Sequence, residues 1–165
     1  IVYGFYGLMV LVPLFRSIFG SGKSIMTASV LLSFMILPTI ITVSESSLRA
    51  LDNSLLEGAL ALGDTKEKAV FRVMVPAASS GILSSVILGV GRSIGETMAV
   101  VMVAGNQPRI PGGVLDGVRT MTANIVLEMG YATDLHREAL IATGAVLFVF
   151  VLILNLSFSL IRRKK

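Results

Sequence analysis

Apolar residues in this chain come in long unbroken runs. A helix needs about 20 consecutive, mainly apolar residues to cross a bilayer. Residues 24–44, 77–105 and 139–161 meet that requirement, and residues 1–15 read as the second half of a span whose beginning lies before Ile1. Composition agrees. Of 165 residues, 54% are hydrophobic and only 15% are charged, against about 25% charged in soluble domains. That excludes a disordered chain and an ordinary soluble domain. A transmembrane barrel would alternate apolar and polar residues in short segments, and these runs do not. The expected fold class is an all-α polytopic membrane protein. There is no cysteine, so disulfides and thiolate metal sites are excluded. The chain opens without Met or a basic leader, and reads as starting inside a longer protein.

Basic residues set the expected orientation. Arg162, Arg163, Lys164 and Lys165 follow the last span directly and belong on the cytoplasmic side. Counting back, the loop 45–76, with Arg49, Lys66, Lys68 and Arg72, is cytoplasmic as well. The connectors 16–23 and 106–138 are then external. In a soluble chain a net charge of +4 would raise nucleic acid as a partner. Placed beside spans, these charges fix topology instead.

The loop 45–76 carries helix punctuation. Ser54-Leu55-Leu56-Glu57 fits a capping box. Apolar residues follow at helical spacing until Gly63, which suits the left-handed position ending a helix. Asp64 or Thr65 can cap a second helix that Pro76 ends. Two short helices joined by a glycine turn make a partly apolar knob, suited to docking another protein.

Arg92 and Glu96 lie deep in an apolar run. A charge at the bilayer centre costs about 2.5–3.5 kcal/mol on insertion scales, so such residues face a bundle interior or a wet cavity. At i and i+4 on one helix they can pair. The arginine keeps donors for an oxyanion. Gly81, Ser85, Gly89 and Ser93 recur every fourth residue, with Gly91 and Gly95 as a second small pair. Small residues at this spacing allow close helix approach. These features place the helix beside a translocation pathway, with phosphate, sulfate, a carboxylate or a proton relay all compatible.

Glu57-Gly58-Ala59, three residues, Gly63, nine residues, then Val73-Met74-Val75-Pro76 resembles the EAA loop of ABC importer permeases. Gly58 stands where that pattern has alanine, and Val73 and Val75 replace isoleucine and leucine. The resemblance implies that Glu57, Gly58, Ala59, Gly63 and Pro76 couple the chain to a cytoplasmic ATPase. Residues 91–100, from Gly91 through Val100, followed by Met102-Val103-Ala104-Gly105-Asn106, resemble the PstC-type permeases of bacterial phosphate importers, as does the opening Val2-Tyr3-Gly4-Phe5-Tyr6-Gly7. The resemblance implies a type I ABC importer permease (MetI-like) helical bundle, N-terminally incomplete, in the bacterial inner membrane. It implies Arg92 and Glu96 in the substrate pathway. The implied partners are a second, PstA-like permease, a PstB-like ATPase dimer, a PstS-like phosphate-binding protein and the lipid bilayer, with no nucleic acid. It implies no enzyme activity and no cofactor or metal bound by this chain. A permease for molybdate, sulfate or phosphonate shares the EAA loop. An intramembrane enzyme would need a second catalytic group near Glu96, which the spans do not supply. A plain membrane anchor would need neither the knob nor the buried arginine.

Other signals are weaker. Gly20-Ser21-Gly22-Lys23-Ser24 ends like a phosphate-binding loop, but the required first glycine falls at Ser17, so it reads as a flexible turn. His136 reads as solvated, as do Asp116, Glu128 and Asp134, and Glu45 as interfacial. Val118, Met121, Thr122, Ile125, Val126 and Met129 keep helical spacing, predicting an amphipathic helix at the interface or folded back. The methionines read as lipid-facing or core filler.

Overall fold

The computed structural model describes residues 1–163, so Lys164 and Lys165 of the C-terminal basic cluster lie outside the described residues. Among the described residues the regular elements are helical, with one isolated bridge between Gly105 and Val118. In chain order they are α1 (Val2–Phe19), α2 (Ile25–Arg49), α3 (Asn53–Ala61), α4 (Lys66–Ala77), α5 (Ser79–Gly95), α6 (Met98–Val103), α7 (Met121–Glu128) and α8 (Asp134–Arg163).

Among the described residues three helices are long and apolar enough to cross a membrane: Val2–Phe19, Ile25–Arg49 and Asp134–Leu160. The first runs four residues past the expected end at residue 15, to Phe19, and its 18 residues pass the length test. The expected span 77–105 is also different. Its helix stops at Gly95, and α4 and α5 pass the test only as a pair bent by 69° at Ala78.

Proline explains part of this geometry. Pro13 and Pro76 each follow a π turn, Gly7–Leu11 and Val70–Met74. The residue before each proline donates five residues back, Val12 to Gly7 and Val75 to Val70. Proline lacks an N–H and its ring crowds the carbonyl four residues earlier. A wider turn ahead of it lets the helix continue. Pro76 therefore does not end its helix as expected; the break falls at Ala78.

The chain forms two compact units, Ile1–Met35 with Arg92–Leu154, and Ile36–Gly91 with Asn155–Lys165. The core of the first contains Leu11, Phe15, Ala28, Leu31, Ala99, Val100, Val103 and Ala104. Gly4 faces Ala99, and Gly7 faces Leu31 and Val103, so α1 lies directly against α6 and α2.

The turn at 20–24 belongs to this packed unit and is not a loose connector. Ser24 and Thr27 are fully buried. Ser24 Oγ accepts the Thr27 N–H at 3.3 Å, and Thr27 Oγ1 donates to the Gly22 carbonyl at 2.7 Å. The first amides of α2 donate to the returning loop, Ile25 to Asp116 O and Met26 to Val114 O, each at 3.0 Å. These bonds satisfy donors that a helix start leaves open, and they make a phosphate-binding role for the turn untenable.

In the second unit, α5 lies along the C-terminal half of α2. Gly81 faces Ser47 with no room for a side chain, Ser85 Oγ meets Ser44 Oγ at 2.7 Å, and Gly89 faces Ile36 and Ile40. The small-residue stripe thus has its partner within the chain. Gly91 and Gly95 face open space.

Candidate functional site

The knob forms in the second unit, with its cap two residues earlier than the sequence suggested. Asp52, not Ser54, caps α3: its Oδ1 accepts the Ser54 N–H at 2.9 Å. That bond holds the Asp52 carboxyl below its ordinary pKa. The cap is therefore present at neutral pH and is lost as pH falls through the lowered folded-state pKa. Gly63 adopts φ +92°, a conformation side chains resist, and Thr65 Oγ1 then accepts the Lys68 N–H to start α4. Ala59 and Ala69 are buried where α3 packs on the following segment. Glu57, Gly58, Gly63 and Pro76 are exposed. So are Leu62 at 90% and Phe71 at 72%, apolar side chains left on a polar loop.

Gly58 meets nothing within 4 Å where a Cβ would stand. Gly58→Ala is therefore expected to stabilise α3 by about 0.5–1 kcal/mol. Slower amide exchange across residues 53–61 would show it.

In the first unit, a cavity of about 230 Å³ is lined by Ser29, Ser93, Glu96, Thr120 and Thr122 among apolar neighbours such as Leu32 and Val100. Glu96 is half-buried and lies just beyond the end of α5. Its Oε1 accepts the Ala99 N–H at 3.2 Å, so the carboxylate caps α6. This bond is a role for Glu96 that the i, i+4 spacing to Arg92 did not indicate. Arg92 is exposed in the last turn of α5, where a cation also suits the negative end of the helix. It does not line the cavity. Ser93 does, so the small-residue stripe contributes three members to helix packing and one to the cavity wall.

The segment 106–138 folds back, as one of the expected alternatives had it. Val118 donates to the Ala104 carbonyl at 2.9 Å, and Thr120 caps α7 by accepting the Ala123 N–H. Two of its acids, Asp116 and Glu128, are employed and not merely solvated, while Asp134 is exposed as expected. Asp116 Oδ2 accepts the Gly112 and Gly113 amides at 2.8 and 3.1 Å. Glu128 accepts from Arg119 Nη1 at 2.8 Å and lies 3.8 Å from His136. Among the described residues no His, Cys, Asp or Glu cluster could hold a metal.

Residues 4–165 match the family described as binding-protein-dependent transport system inner membrane component. The chain belongs to this family. It is a multi-pass ABC transporter permease. A probable ABC transporter permease protein, YqgH of Bacillus subtilis, is 41% identical, the match covering 99% of this chain and 55% of the relative. The phosphate transport system permease protein PstC of Haemophilus influenzae is 34% identical over 94% of this chain and 57% of its own length. PstC 1 of Mycobacterium tuberculosis is 35% identical over 84% and 42%. The chain thus spans about half the length of the curated relatives it matches. No solved structure matches it.

Sequence reasoning missed two parts of this permease. Asp52 was legible as a capping residue, but Ser54 three residues before Glu57 is the stronger local pattern. Thr120, Thr122 and Ser29 carry no pattern at all; they meet Glu96 only through the fold.

Proposed function

We propose that this permease forms part of the translocation pathway of an ATP-driven phosphate importer. The observation that carries the reading is the match to permeases named for phosphate transport along nearly the whole chain. The Glu96 cavity, where a carboxylate and several hydroxyls sit among apolar residues, supports a pathway there. Arg92 supplies the positive charge the anion needs along the route. The knob 45–76 faces the cytoplasm and docks an ATPase dimer through Glu57, Gly58, Ala59 and Gly63, with Leu62 and Phe71 adding apolar contact. Pro76 lies in the last turn of α4, just before the break at Ala78 where the chain leaves the knob. The segment 106–138 faces the opposite side and meets a phosphate-binding protein. A second homologous permease completes the pathway.

Cells carrying the intact gene and its partners are expected to take up labelled phosphate, with excess unlabelled phosphate competing and labelled sulfate and molybdate not imported. Uptake of molybdate or sulfate without phosphate would keep the permease reading and refute the substrate. That second reading has some support, since the 41%-identical YqgH bears a name without a substrate.

A further inference from the structure

A second cavity in the first unit, about 330 Å³ in volume, has Gln107, Arg109, Arg119, Thr120, Met121 and Asn124 in its lining. Two arginines line it and no acid does. Arg119 is held in place: its Nε donates to Asn106 O at 3.1 Å, and its Nη1 donates to Glu128 at 2.8 Å and to Asn124 Oδ1 at 3.4 Å. None of these bonds uses Nη2. Arg109 makes no hydrogen bond or ion pair within the protein among the described residues. The start of α7, at Met121, adds the positive end of a helix.

Thr120 lines this cavity and also the Glu96 cavity. The two spaces share one wall, with arginines on one side and a carboxylate on the other. A dianion approaching Glu96 unaided meets like charge in a poorly screened environment. Guanidinium charges at a cavity that meets the Glu96 cavity at Thr120 offset part of that repulsion.

We infer that the Arg109–Arg119 cavity is a reception site for an oxyanion, which passes Thr120 on its way to the Glu96 cavity. Guanidinium forks present paired donors to adjacent anionic oxygens. These donors read charge and oxygen geometry, so phosphate and sulfate both bind while chloride does not. The direction of passage rests on the transport reading; the binding itself does not.

The test uses the assembled transporter in detergent at low ionic strength, without the binding protein. Inorganic phosphate is titrated in and followed by phosphorus NMR line broadening. Saturable binding is expected, displaced by sulfate but not by chloride at equal ionic strength. Arg109→Gln weakens it about tenfold, Arg109→Lys, which keeps the charge but not the fork, weakens it less, and Arg137→Gln, at an exposed position outside the lining, leaves it unchanged. Absence of saturable binding, displacement by chloride, or an equal loss in Arg137→Gln overturns the site. So does an Arg109→Gln variant that binds phosphate normally; slowed uptake in that variant would mean that Arg109 docks a protein partner instead. Wild-type cells that fail to import phosphate would refute the transport reading and leave the binding result standing.

Discussion

Replacing Arg92 with glutamine is expected to cut phosphate uptake between about tenfold and a hundredfold while the transporter assembles normally. A hydrogen bond to a charged group contributes about 1.5–3 kcal/mol, and each 1.4 kcal/mol is about a factor of ten. The rival account is that Arg92 only complements the C-terminal dipole of α5, since it sits in the last turn. That role is worth about 0.3–1 kcal/mol at an exposed position, so glutamine would lower uptake severalfold at most. Lysine separates the two further. It keeps the charge for a dipole but loses the planar fork that grips an oxyanion. Near-normal uptake in Arg92→Lys together with a mild Arg92→Gln defect would assign the residue to helix stability. Membrane levels of each variant, read in parallel, keep misassembly from imitating loss of transport.

What the sequence carried well was whatever depends on near neighbours. Gly63 takes the left-handed position predicted for it, and Thr65 caps the next helix, because turn and cap chemistry acts over three or four residues. The long apolar runs gave helices because nothing else satisfies backbone groups in lipid. What it carried poorly was competition between two acceptable local patterns. Ser54 with Glu57 and Asp52 with Ser54 are both caps, and the chain uses the second. Glu96 likewise had two partners within reach. Helical spacing points to Arg92, and past the end of α5 at Gly95 the free amide of Ala99 also takes a carboxylate oxygen. The turn 20–24 was misread for a different reason. Its glycines and serines suggest mobility, while the carbonyls that order α2 come from Val114 and Asp116, some ninety residues away. No local pattern reports a partner that distant, and the same holds for Ser29 and Thr122 around Glu96.

The stripe on α5 makes the last prediction. A Cβ on Gly89 would lie 2.6 Å from Ile36 Cγ2 and 2.9 Å from Ile40 Cγ1. Overfilling a packed seam costs about 1–3 kcal/mol, and a leucine there is expected at the upper end, since both neighbours are β-branched and stiff at χ1. Gly89→Leu should therefore sharply reduce the folded, detergent-extractable protein. Gly89→Ala isolates the cause. If the clash with Ile36 dominates, combining Gly89→Ala with Ile36→Ala should cost less than the two single changes together, with a coupling of about 1 kcal/mol or more in a double-mutant cycle. Additive costs would show that α5 shifts along α2 to admit the methyl group, and that Gly89 is tolerated there and not required. Gly91→Ala serves as the comparison, because a Cβ at Gly91 meets nothing within 4 Å. It should leave stability unchanged or slightly raised, as replacing a helical glycine generally does where space is open.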